Sequence, residues 1–273
     1  MRMTTKTRTS PKKMPENEPI SFWDHLEEFR RLLFKSLVAV LVLSTLLFFF
    51  LPNWFDSILL GPCFGDFPTY RLFCQLGRML GWETSFCASD YAIQLINIQL
   101  TAQFMLHIQT AVLFGFLFSI PYLLFALWSF VQPALYPNEQ RAVRWAFTGS
   151  SLLFYAGVTL SYFIIFPVTL RFLAGYQISQ HVVNQLALTS YIQTLFTLSL
   201  IMGIVFEMPL LAWTLSQLGL LKRSFFKRWR RHAVVILMIL AAFITPTGDP
   251  LTLLLVALPL YALYELSARV VKP

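Results

Sequence analysis

Leu106 to Leu127 reads LHIQTAVLFGFLFSIPYLLFAL, and the stretch around it carries no Asp, Glu, Lys or Arg from Tyr91 to Asn138. A helix rises about 1.5 Å per residue, so roughly 20 mainly apolar residues cross a hydrocarbon core of about 30 Å. This segment therefore predicts a spanning helix, and the gaps between charges locate others on either side of it. Lys35 to Leu51 is one, closing at Pro52-Asn53, and Trp145 to Leu170 is another. Leu186 to Leu221 is a further span whose single charge is Glu207. His232 to Ile244 and Pro250 to Tyr264 are shorter runs flanking Thr245-Pro246-Thr247-Gly248-Asp249. They form either one re-entrant hairpin or two short spans. Two spans is the adopted reading, because Glu265, Arg269 and Lys272 then return to the basic side.

Composition agrees. Of 273 residues, 57% are hydrophobic and 12% charged, about half the charged fraction of a soluble domain, roughly 25%. Mean hydropathy is +0.64, and there are 27 phenylalanines. These values exclude an ordinary soluble enzyme, a disordered chain and a disulfide miniprotein. The net charge of +8 suits basic loops facing the cytoplasmic leaflet, and no nucleic-acid-binding motif accompanies it. With six spans, eighteen of the 21 Lys and Arg fall on one side, leaving Arg71, Arg78 and Arg171 on the other. Lys and Arg bias in short loops sets orientation, so both termini are expected in the cytoplasm.

The first 30 residues are polar and lack the apolar run of a cleavable signal. Residues 1–20 are read as a disordered cytoplasmic tail and 21–273 as one membrane domain. Cys63, Cys74 and Cys87 all fall in the first outer loop. In an oxidising compartment one disulfide can form and one thiol remains, with the pair left open. No metal-ligand spacing is present.

Ser21-Phe22-Trp23-Asp24 starts a helix of capping-box type. Phe22, Leu26, Phe29 and Leu33 then build one apolar stripe, with Asp24, Glu27, Glu28 and Arg31 off it. The plain reading of these acids is a solvated face, with Glu27 pairing with Arg31 at i,i+4. Glu139 follows Asn138, and its plain reading is an acid favoured by the dipole at a helix start. His107 and His181 read as an interfacial and a loop residue. Glu207 is different. An acid at the centre of a spanning helix costs on the order of 3 kcal/mol, so it must face water or a polar partner, or be protonated. Pro209 beside it adds a kink and frees a carbonyl.

His25-Leu26-Glu27-Glu28-Phe29-Arg30-Arg31-Leu32 resembles the HLEELR segment of TatC, the multispanning subunit of the twin-arginine protein translocase. The likeness continues, in family order, through Trp128-Ser129-Phe130-Val131-Gln132-Pro133-Ala134-Leu135-Tyr136 and Glu139, then Phe206-Glu207-Met208-Pro209. It ends with Thr245-Pro246, Asp249-Pro250, Leu258-Pro259 and Leu263-Tyr264-Glu265. Gly248 looks inserted in the family's turn, Leu253 stands where a Gln is usual, and the cysteine-bearing loop is longer than usual.

The resemblance implies an all-α integral membrane protein, a concave, glove-like bundle of six transmembrane helices with two short C-terminal spans, multi-pass in the bacterial cytoplasmic (inner) membrane. It implies binding of the Arg-Arg signal peptides of folded export substrates by Glu28 and Glu139, with Arg30 and Phe130 beside them. Guanidinium groups prefer planar, bidentate carboxylate partners. Glu207 matches the family's intramembrane acid, which meets polar groups of single-span TatA/TatB-type subunits. His25, Pro133, Tyr136, Pro209 and Asp249 match further motif positions. Transport in the family is driven by the proton gradient, self-association in a larger complex is implied, and no cofactor, metal, catalytic residue or nucleic acid is expected. Two rival classes make different demands. An ion-coupled transporter would place discontinuous helices in paired halves, and an intramembrane enzyme would need a nucleophile with its base or a metal-ligand motif. The sequence has neither.

Overall fold

The computed structural model describes residues 22–80, 93–132, 137–176, 185–217, 219–245 and 250–271. The expected tail lies outside them, as do Cys87, Pro133, Tyr136, His181 and Asp249. Helix α1 (Phe22–Trp54) continues through a π-helical turn, Phe55–Leu59, and a tight turn, Gly61–Cys63, before the short helix α2 (Pro68–Leu80). Strand β1 (Leu95–Ile96) leads into α3 (Ala102–Val131). Helix α4 (Pro137–Leu160) passes through a second π-helical turn, Ser161–Ile165, into α5 (Phe166–Gly175). Strand β2 (Leu186–Ala187) precedes α6 (Leu188–Phe206), and α7 (Met208–Gln217), α8 (Arg223–Ile244) and α9 (Pro250–Val270) complete the order. The strands pair in parallel, Leu95 opposite Leu186, and tie the entries of α3 and α6 together.

Five segments are long and apolar enough to cross a membrane by length and composition: Leu26–Cys63, Ala102–Phe130, Gly149–Gly175, Leu188–Gln217 and Thr252–Val270. Helix α8 is not among them, because Arg223, Lys227, Arg228, Arg230 and Arg231 occupy its first half. The candidate span in α9, Thr252–Val270, has 19 residues and includes Glu265 and Arg269. The charge-free run before Glu265 is the one read from the sequence, and the helix carries on beyond it to Val270.

Helix α6 is the centre. Ile192, Leu198 and Met202 are wholly buried, and Tyr191, Leu195 and Phe196 nearly so. By contrast only 6% of the apolar window of α1 is buried, so Leu37, Leu41, Phe49 and Phe50 face outward. Small residues let the helices close, as membrane packing favours. A Cβ at Gly157 on α4 would stand 2.5 Å from the Met202 carbonyl oxygen of α6, and one at Gly115 on α3 would stand 2.7 Å from the Ser44 backbone nitrogen of α1.

The first span does not close at Pro52; α1 runs through it to Trp54. Proline has no N–H, so the carbonyl four residues earlier loses its helical donor. That carbonyl belongs to Phe48, and it accepts a hydrogen bond from His107 Nε2 of α3 at 2.8 Å. The pattern repeats. Pro121 frees Leu117 of α3, whose oxygen accepts from the Tyr155 hydroxyl of α4 at 2.9 Å. Pro167 frees Phe163, whose oxygen accepts from the Thr69 hydroxyl of α2. The terminal carbonyls around Pro62 are met the same way, Ile58 by Tyr162 and Leu59 by Tyr191.

The coupling of Tyr155 to Pro121 can be tested. Tyr155→Phe should cost about 1 kcal/mol, the scale of interhelical hydrogen bonds in membrane proteins. In a Pro121→Ala background the cost should nearly vanish, because alanine at that position supplies its own N–H to the Leu117 carbonyl. Unfolding in a fixed detergent measures both, and an equal loss in the two backgrounds would contradict the assignment.

Candidate functional site

The first polar site lies where the start of α1 meets the end of α3. On α1, positions 28, 31, 32 and 35 follow the i, i+3, i+4, i+7 spacing of one helix face. Glu28, Arg31 and Lys35 line a groove of about 290 Å³ with Tyr122, Phe125, Ser129 and Phe130 of α3. The rings of Phe29 and Phe130 hold the two helices together, their centroids 5.5 Å apart. Glu27 forms the expected pair with Arg31 at 2.6 Å. Glu28 makes no ion pair or hydrogen bond among the described residues, so its carboxylate is exposed and available. Arg30 does not line the groove. Two residues along a helix point to different faces, and the cations that share the groove with Glu28 are Arg31 and Lys35.

The expected stripe along α1 packs only in part. Leu26 and Leu33 are about half exposed, and Phe29 alone of the three reaches a ring partner. The backbone of His25 lies in α1 and that of Glu139 in the first turn of α4, and the side chains of both lie outside those described. Across Phe125, a second groove of about 250 Å³ lies between α3 and α4 and is lined by Trp128, Arg144 and Phe147.

The second polar site is at depth. Helix α6 stops at Phe206, the Glu207 N–H tightens onto the Ile204 carbonyl at 3.1 Å, and α7 restarts with Pro209 in its first turn. Pro209 cannot donate to Val205, which is why the ladder is interrupted here. The break turns Glu207 toward α4, where its Oε2 accepts the hydroxyl of Ser150. Oε1 is buried and has no hydrogen-bond partner among the described residues. Ser150 itself is buried. Sequence reasoning missed it, since a serine in an apolar run carries no signal of its own. Arg31 and Lys35 were legible from spacing, whereas Tyr122 and Ser129 needed the packing of α3.

A third polar cluster closes α8 on α9 at the basic end. Arg230 pairs with Glu265 at 2.6 Å, Tyr261 donates to the same carboxylate at 3.1 Å, and Tyr264 donates to the Phe226 carbonyl at 2.8 Å. At the far end Cys63 is a buried free thiol and Cys74 is disulfide-bonded.

Fold and sites together define a polytopic α-helical membrane protein with a carboxylate groove at one end and an acid held at depth. The sequence model of the family described as Sec-independent protein translocase protein (TatC) matches residues 24–259. The chain is 35% identical over 253 residues to the TatC protein of Blattabacterium sp. subsp. Periplaneta americana, covering 92% of this chain and 95% of that one. It is 32% identical to that of Deinococcus radiodurans, covering 93% and 86%. A crystal structure of a twin-arginine translocase receptor, TatC, in DDM superposes with a TM-score of 0.72 at 30% identity, over 91% of this chain and all of the other. The chain belongs to the TatC family, the multipass subunit of the Sec-independent protein translocase of the bacterial inner membrane.

The geometry at Glu207 is testable by itself. Ser150→Ala should lower stability by about 1 kcal/mol and shift the infrared carboxyl band that Glu207→Gln removes. An unshifted band would mean that Ser150 does not hold the acid.

Proposed function

We propose that this chain is the signal-peptide receptor of its translocase. It crosses the membrane six times with both termini in the cytoplasm, α8 supplying the sixth crossing. Glu28 and Glu139 take the two adjacent arginines of the signal peptide of a folded export substrate. The observation that carries this reading is the unpaired carboxylate of Glu28 in a groove backed by Phe130. A receptor for guanidinium needs a carboxylate that is not already spent on an internal pair, and Glu27, not Glu28, takes Arg31. With Arg31 paired to Glu27, Lys35 stands as the cation that shares the groove with Glu28. One acid is too few for two arginines, which supports a second from Glu139 at the start of α4. Arg30, on another face of α1, acts from outside the groove.

Glu207 serves as the docking point for a single-span partner of the TatA/TatB type. Its Oε2 is held by Ser150 and its Oε1 has no donor among the described residues. A polar group on an incoming helix would complete it. Movement of cargo is driven by the proton gradient, and larger assemblies form by self-association around this subunit.

Glu28→Ala should weaken binding of an Arg-Arg peptide at least about tenfold, since hydrogen bonds to charged groups are worth about 1.5–3 kcal/mol and 1.4 kcal/mol is a factor of ten. The unfolding midpoint should not move, because an exposed charge contributes little to stability. Wild-type affinity in the variant, or indifference of the wild type to Lys-Lys replacement, would overturn the receptor reading. For the second site, Glu207→Gln should keep most partner co-purification and Glu207→Ala should lose part of it. Wild-type recovery from both would remove Glu207 from the interface.

A further inference from the structure

A cavity of about 450 Å³ opens at the end of the bundle opposite Glu28, within the range of small-ligand sites, roughly 300–1,000 Å³. Leu51 of α1 and Leu106 of α3 contribute to its apolar wall, and three polar residues reach it: Asp56, Gln103 and His107. It sits near the end of the candidate span Leu26–Cys63 and the start of the candidate span Ala102–Phe130. Trp54, adjacent in the chain, is half exposed, and tryptophan is enriched where membrane spans meet the interface.

Each of the three polar residues can offer a hydrogen-bond acceptor. His107 Nε2 donates to the Phe48 carbonyl and stacks on the Phe48 ring at 4.0 Å with an interplanar angle of 9°. The ring is thereby fixed, and in its neutral form the remaining nitrogen, Nδ1, can only accept. The Asp56 carboxylate accepts only, and it has no ion pair or hydrogen bond among the described residues. The Gln103 amide oxygen is a third acceptor. A negatively charged, acceptor-lined mouth over an apolar floor selects a cation with an apolar body. A primary ammonium has three N–H donors, one for each acceptor. A quaternary ammonium has none and is instead held by cages of Trp, Tyr or Phe, whereas Phe55 is the single such residue among those that line the cavity.

We propose that this cavity binds a phospholipid with a primary-ammonium headgroup, of the phosphatidylethanolamine class. The ammonium lies on Asp56, and the first methylenes of the acyl chains lie on Leu51 and Leu106. The site is independent of signal-peptide recognition, which takes place at the other end of the bundle.

The test uses the full-length protein in micelles with equimolar phosphatidylethanolamine, phosphatidylcholine and phosphatidylglycerol, with native mass spectrometry counting the lipids retained. Wild type is expected to enrich the ethanolamine lipid at least fivefold over each of the other two. Asp56→Asn should abolish that enrichment, and Asp66→Asn, whose carboxylate pairs with Arg71 outside the cavity, should keep it. Equal retention of the three lipids, a preference for the glycerol or choline headgroup, or enrichment that survives in Asp56→Asn would each overturn the proposal. If Asp56→Asn does not fold, Gln103→Leu reads the same question. It leaves the charge, removes one acceptor and should lower the enrichment at least twofold, and an unchanged ratio there would count against the site.

Discussion

Hydrocarbon offers a backbone carbonyl no water, so each one inside the bilayer must find a donor in the protein. This constraint organises the bundle. Pro52, Pro121 and Pro167 each remove one N–H from a spanning segment, and each freed carbonyl is taken by a side chain from another element: His107, Tyr155 and Thr69. The bonds run α3 to α1, α4 to α3 and α2 to the α4–α5 segment. These three prolines are therefore points of attachment between helices. Close approach at Gly115 brings α3 against α1, the pair that the His107 bond joins, and close approach at Gly157 brings α4 against α6.

Two acids show how placement divides chemistry within one fold. Glu28 stands at the rim, in water, with its neighbour Glu27 already committed to Arg31. It costs little to hold open and is free to exchange partners. Glu207 stands at depth, where an acid without a partner is expensive. A serine from α4 takes one oxygen, and the break between α6 and α7 at Pro209 fixes the direction of the other. The first carboxylate can exchange ionic partners in solution, and the second keeps one buried oxygen able to accept a hydrogen bond.

The end opposite Glu28 is built as a rigid cap. Tyr70 is fully buried and donates to the carbonyls of Pro62 and Pro167 at 2.8 and 3.2 Å, with the Arg171 guanidinium 5.0 Å over its ring. The buried Cys63 and the disulfide-bonded Cys74 lie in the same region. The parallel pairing of Leu95 with Leu186 closes the cap across α3 and α6.

The sequence by itself determined the mostly helical membrane class, the approximate position of the five candidate spans and the Glu27–Arg31 pair, and it singled out Glu207 as an acid within an apolar run. These follow from local rules: runs of apolar residues, helical spacing, and the cost of a charge in hydrocarbon. It also carried the family through motifs fixed in order along the chain. It did not determine that α1 passes through Pro52, that Arg31 and Lys35 rather than Arg30 share the groove with Glu28, or that Ser150 holds Glu207. It gave no sign that Leu95 would pair with Leu186. Each of these joins residues far apart in the chain, such as Phe48 with His107 or Ser150 with Glu207. A proline states which carbonyl it frees, but only the packing of another helix decides which donor comes within 3 Å of it.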